Sequence, residues 1–244
     1  MLHRWRIAAL AVSLLAAGAL PSACTSAATP AQRVATLTLL FFVLGFVLNV
    51  VECWLFSSRP LPIRAVHFVG ALALSAVAAT AVALLVADHG GGASWPDQFA
   101  ARFGDRSLPA LLLQLGGAAA VYVGVQGVVG SSFWPFVRRF YDDSAAGLDL
   151  RIPSPRVMLP FQLARGGVGI AALLPWLTLI RLDGWLDRAA FGLTLVVTMG
   201  VVPLLGAERW PPRLRMIHAI EITLIALLWS LAIGWIVSPR DAAA

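Results

Sequence analysis

The chain has 244 residues, 59% hydrophobic and only 12% charged, about half the charged share of an ordinary soluble domain. That composition excludes a soluble core with a polar surface. Several apolar runs reach the roughly 20 residues a helix needs to cross a bilayer, which predicts an all-α, polytopic transmembrane helix bundle. The net charge of +6 rests on 18 basic residues, every one an arginine; with no lysine, a retinal or pyridoxal Schiff base and a P-loop are excluded.

Apolar segments fall at about 7–23, 34–56, 66–87, 108–130, 157–180, 189–206 and 214–237, six or seven spans depending on the fate of the first. The first has a basic start (His3, Arg4, Arg6), an apolar run from Ile7 to Leu20 and a small-residue tract, PSACTSAATPA. Residues 1–28 therefore read as a signal-type segment or a first transmembrane helix, and 29–240 as the bundle. Cys24 approaches a lipoprotein cleavage site, but Pro21 stands where a branched aliphatic residue belongs, so a lipid anchor is the weaker reading.

Alternating the spans from an inside amino terminus puts most arginines in cytoplasmic stretches (Arg4, Arg6, Arg59, Arg64, Arg138, Arg139, Arg151, Arg156, Arg165, Arg209, Arg213, Arg215). Arg33, Arg102, Arg106, Arg181, Arg188 and Arg240 fall outside, balanced there by Asp88, Asp97, Asp105, Asp183, Asp187 and Asp241. The positive-inside rule thus predicts amino terminus in and carboxyl terminus out. It also explains the basic total without nucleic acid. Trp54, Trp134 and Trp210 then sit at inner ends and Trp176, Trp185 and Trp235 at outer ends, as an aromatic belt. Cys24 and Cys53 are separated by about a bilayer thickness, too far for a disulfide. Arginine without lysine, together with abundant alanine, suggests a GC-rich bacterial genome and hence the cytoplasmic membrane of a bacterium.

Small residues recur every fourth position as Ala71, Ser75, Ala79, Ala83 in the third span and Gly116, Ala120, Gly124 in the fourth. Such ladders let helices approach closely in lipid; they predict packing within the bundle, with a homodimer interface as the alternative. After the fourth span the stretch at about 131–156 places Phe133, Phe136, Val137 and Phe140 on one face and Arg138, Arg139, Asp142 and Asp143 on others. This predicts a short amphipathic helix at the inner headgroups, in contact with membrane lipids. His89 reads as an exposed outer-loop residue, and Gln114 and Tyr122 as hydrogen-bonding across the bundle.

Ionisable groups inside a membrane are costly and need a partner or a purpose. Asn49 and Glu52, His67, Gln126, Gln162 and Arg165, and Arg215, His218 and Glu221 all fall in the inner turns of their spans. Spacings of three keep each set on one helix face, so these residues are expected to form a shared polar cluster in the inner half of the bundle. The simplest reading is a structural network in which Arg165 and Arg215 neutralise Glu52 and Glu221. A proton-linked carrier, with Glu52, Glu221 and a histidine titrating, is the first alternative. A membrane-embedded enzyme acting on a lipid or isoprenoid, with arginines on a phosphate and a Glu–His general base, is the second; HExxH, GxSxG, DxxD and glycine-rich phosphate loops are all missing. No metal or haem is favoured, although Glu52, His67, His218 and Glu221 have the donor types of a four-ligand site.

Overall fold

The computed structural model describes residues 2–57, 64–86, 93–142, 150–205, 207 and 210–237. Arg59, Asp88, His89, Asp143, Arg209, Arg240 and Asp241 lie outside the described residues, as do the side chains of His3, Arg4 and Asp142.

Among the described residues the chain is a helix bundle, its one extended feature an isolated bridge between Ser57 and Leu150. Seven helices are long and apolar enough to cross a membrane: α1 (Leu2–Cys24), α2 (Pro30–Phe56), α3 (Ala65–Leu85), α5 (Leu108–Asp142), α6 (Pro155–Leu179), α7 (Trp185–Leu205) and α8 (Pro212–Val237). A short helix, α4 (Trp95–Phe103), lies between α3 and α5. Local chemistry sets the starts. Thr29 and Gln32 form a reciprocal capping box ahead of α2, with Pro30 at its first turn. Ser94 and Asp97 do the same for α4.

The helices contact one another in the cyclic order α1, α3, α2, α6, α5, α8, α7 and back to α1. α1 is an integral stave: Ala19 and Ala23 are fully buried, Gly18 lies against Val197, and Ser22 Oγ shares a 3.0 Å hydrogen bond with Thr194 Oγ1 of α7. α2 and α7 each contain a π-helical turn, Val43–Val47 and Val196–Val201. These two turns touch in the middle of the bundle, where a Cβ on Gly45 would stand 3.2 Å from the Thr198 carbonyl oxygen.

Small residues govern close approach, but not on the faces the spacing suggests. Ser75, Ala79 and Ala83 of α3 are buried, as expected of a packing ladder. On α5 the ladder is turned outward: Gly116, Ala120 and Gly124 are exposed, and neither Gly116 nor Gly124 has an atom within 4 Å of a would-be Cβ. The packed face of α5 runs instead through Leu111, Ala118, Tyr122 and Val129. Its contact with α6 is made at Gly166, where a Cβ would fall 2.7 Å from the Ala119 carbonyl oxygen.

The stretch after the fourth span also differs from expectation. α5 is 35 residues long, about 52 Å at 1.5 Å per residue, so it outruns a hydrocarbon core of roughly 30 Å and the amphipathic segment is its continuation. Val137, flanked by Phe133 and Phe140, packs against Leu214 and Ile217 of α8, while Phe136 remains exposed. The apolar face is therefore covered mainly by protein. Further along, Arg151 donates from Nε to Leu55 O (2.9 Å) and from Nη2 to Trp54 O (3.4 Å), capping carbonyls that α2 leaves open at its end.

At the opposite end several residues read from sequence as loop or interface groups are fastened into the bundle. Arg33 is fully buried, its Nε on Ser26 Oγ (3.2 Å) and its Nη1 on Val86 O (3.2 Å). Arg102 donates to Ile180 O, and Arg106 donates to Gln114 Oε1 (2.7 Å) and Val237 O (3.2 Å). Gln114 thus serves the neighbouring loop rather than a bond across the bundle. Burial lowers the pKa of Arg102 from the usual guanidinium value; the Asp183 carboxylate opposes that shift and Arg106 adds to it. Trp185 and Trp235 are exposed as a belt requires, but Trp176 is fully buried and belongs to the core.

Candidate functional site

The end of α2, the start of α3, the end of α5, the start of α6, the end of α7 and the start of α8 surround a cavity of about 900 Å³. Alternating antiparallel spans bring these ends to one side of the bundle, and most of the expected polar residues follow. Asn49, Glu52, His67, Gln126, Gln162, Arg165, His218 and Glu221 all line the cavity. Arg215 does not. It borders a separate depression with Pro212 and Met216 on another face of α8, and its buried Nε has no hydrogen-bond partner among the described residues.

One ion pair and one imidazole–carboxylate hydrogen bond face the cavity. Arg165 Nη1 lies 2.8 Å from Glu52 Oε1; the arginine side chain is 6% exposed and the glutamate 28%. The guanidinium also sits 5.7 Å from the ring centre of the buried Tyr122, which packs on Trp229 at 4.8 Å. Trp229 Nε1 in turn donates to Ala118 O at 2.9 Å and fixes that stack across the bundle. The second pair is local: His218 Nδ1 and Glu221 Oε2, one turn apart on α8, are 2.8 Å apart, with Trp210 5.0 Å from the imidazole ring. Space for Glu221 comes from Gly130 on α5, where a Cβ would lie 3.5 Å from Glu221 Oε1 and 4.0 Å from Gln126 Nε2.

The remaining polar side chains have distinct tasks. Asn49 Nδ2 donates to Leu44 O (2.8 Å) and Gly45 O (3.3 Å), meeting carbonyls within the π turn of α2. Asn49→Ala is therefore expected to cost about 1 kcal/mol, the worth of the lost hydrogen bonding, read as earlier thermal unfolding in detergent. His67 Nδ1 accepts from Arg64 N at 3.0 Å and helps start α3; the residue is exposed at the cavity rim. Gln162 donates to Met158 Sδ at 3.6 Å, while among the described residues its buried Oε1 and the buried Nε of Arg165 have no hydrogen-bond partner.

The arrangement does not assemble the alternative metal set. Among the described residues no three His, Cys, Asp or Glu side chains gather closely enough to hold an ion; Glu52 is engaged by Arg165 and His67 by the backbone of its own helix start.

Sequence reasoning missed the rest of the wall. Phe46, Trp54, Trp134 and Tyr141 supply aromatic surface, and Cys53, a free thiol, opens onto the same space. The three expected inner-end tryptophans, Trp54, Trp134 and Trp210, all border the cavity. Their clustering in sequence near the polar residues was the available signal, and a belt role was sufficient to explain them. The π turns had only a weak marker in the glycine–asparagine pair Gly45 and Asn49.

Comparison with known protein families, with characterised proteins and with solved structures finds no match to this chain.

Proposed function

We propose that the chain is a proton-linked carrier of small amphipathic molecules in a bacterial cytoplasmic membrane, with the amino terminus and the cavity on the inner side. α1 is read as a retained span, an assignment supported by its burial against α3 and α7.

The observation that carries the reading is a roomy, largely apolar cavity with ionisable pairs at its wall. A purely structural network accounts for the Glu52–Arg165 pair but gives no reason for an open cavity of about 900 Å³ beside it, whereas a cavity of this size with a few convergent polar groups suits a ligand. Among the described residues, the charged and titratable groups facing the space are Glu52 and Cys53 on α2, His67 on α3, Tyr122 and Tyr141 on α5, Arg165 on α6, and His218 and Glu221 on α8. Among these groups two carboxylates, Glu52 and Glu221, face one guanidinium, Arg165. Imidazole is the side chain suited to exchange protons near neutral pH. The touching π turns of α2 and α7 border the same cavity through Gly45, Phe46 and Met199. Such turns interrupt a helix without breaking it and commonly mark functional sites.

The test uses proteoliposomes loaded with a pH-sensitive dye and challenged with cationic, neutral and anionic amphiphiles. At least one charge class should drive a proton movement that Glu221→Gln lowers by about tenfold, the worth of a lost charge-assisted contact. Absence of solute-coupled proton movement for all three would overturn the carrier.

A further inference from the structure

We infer that the cavity selects amphipathic cations: molecules with a protonated amine or other onium centre on an apolar, preferentially aromatic body. This inference deepens the carrier reading and rests on the same cavity being its ligand site.

The charge a ligand meets is decided by which ends of the pairs reach the cavity. Glu52 is 28% exposed, whereas its partner Arg165 is 6% exposed, with Nη1 on that carboxylate and Nε buried. An incoming molecule therefore touches the carboxylate before the guanidinium. Glu221, on α8, lies behind its imidazole partner, its side chain 9% exposed against 18% for His218, so it adds negative potential to the cavity rather than a second direct contact. Arg165 is the sole arginine among the described residues that line the space. Arg64, Arg138, Arg139, Arg151, Arg156 and Arg213 near this end are exposed to solvent, where ionic screening within roughly 10 Å limits their reach into the cavity, and the partly buried Arg215 borders the separate depression on another face of α8.

The wall chemistry agrees with the charge. Phe46, Trp54, Trp134, Tyr141 and Trp210 present ring surface around the carboxylates. Aromatic faces attract cations through their quadrupole and repel anions, and that attraction strengthens when water is excluded. An apolar space with several rings and a small number of carboxylates is the complement of a bulky onium ion. A phosphate or carboxylate ligand would find its natural partner, Arg165, already occupied and covered.

Cys53 provides a readout inside the site. In a Cys24→Ser background, the full-length protein in nonionic detergent is treated with a maleimide in the presence of tetraphenylphosphonium or of tetraphenylborate, which has the same shape and the opposite charge. Tetraphenylphosphonium at ten times its dissociation constant should slow Cys53 modification about tenfold. Tetraphenylborate should not slow it. Glu221→Gln, and separately Glu52→Gln, should weaken the protection about tenfold; each variant's monodispersity and thermal unfolding in detergent show that it is folded, and its protection is taken relative to its own unliganded labelling rate. Equal protection by both ions, protection indifferent to both substitutions, or no protection by the cation would each overturn the inference. Cation-selective protection without coupled proton movement would retain the ligand class and remove the carrier. Coupled proton movement without cation selectivity would do the reverse.

Discussion

Arg165→Met is expected to lower stability by about 2–4 kcal/mol, measured as denaturant or thermal unfolding in detergent. Removing one partner of a buried ion pair generally costs about 3–5 kcal/mol because the other charge is left in a poor environment. Here the abandoned carboxylate, Glu52, is 28% exposed to the cavity and recovers some hydration, which shifts that range down by about 1 kcal/mol. The guanidinium's contact with the Tyr122 ring, 5.7 Å to its centre, is lost as well. Adding Glu52→Gln to Arg165→Met should restore most of the loss, since neither charge then remains. A double variant as unstable as the single one would show that Arg165 acts through packing on Tyr122 and that its pairing with Glu52 is incidental.

Gly166→Leu is expected to cost about 1–3 kcal/mol, while Gly116→Ala and Gly124→Ala leave stability unchanged within measurement. At Gly166 even a Cβ would stand 2.7 Å from a backbone oxygen of α5; a backbone atom cannot swing aside as a side-chain tip does, so the helices must separate. At Gly116 and Gly124 nothing lies within 4 Å of the added atom. The substitution also reports on the cavity, because α5 and α6 form two of its walls. Their separation should speed maleimide modification of Cys53 in the Cys24→Ser background. Loss of stability at Gly124 comparable to that at Gly166 would instead mean that the outward ladder is covered, as in a homodimer.

Much of the candidate site is legible in the sequence, for a simple reason. Charges and amides are rare inside apolar spans, so each is conspicuous, and strict alternation of spans assigns them a common end. Glu52, Arg165, His218 and Glu221 stand out in this way, and all four line one cavity. Arg215 was not separable from them: three residues before His218, it looks like part of the same stripe, yet its side chain borders another depression. Positive-inside counting was similarly blind to work done by individual arginines. Arg33 and Arg151 satisfy backbone carbonyls, and counting sees them only as units of charge.

The sequence by itself determined that this is a bundle of long apolar helices and which end of each helix is polar. Those properties follow from hydropathy over some 20 residues and from the cost of unpaired charge in lipid, both local and additive. Only the tertiary structure decided which face of α5 packs, which arginine pairs with Glu52, and that the polar ends surround open volume. These depend on helix rotation and on neighbours distant in sequence. In a bilayer, lipid-facing and protein-facing positions are both apolar, so periodicity does not distinguish Gly124, turned outward, from Gly166, pressed against a backbone.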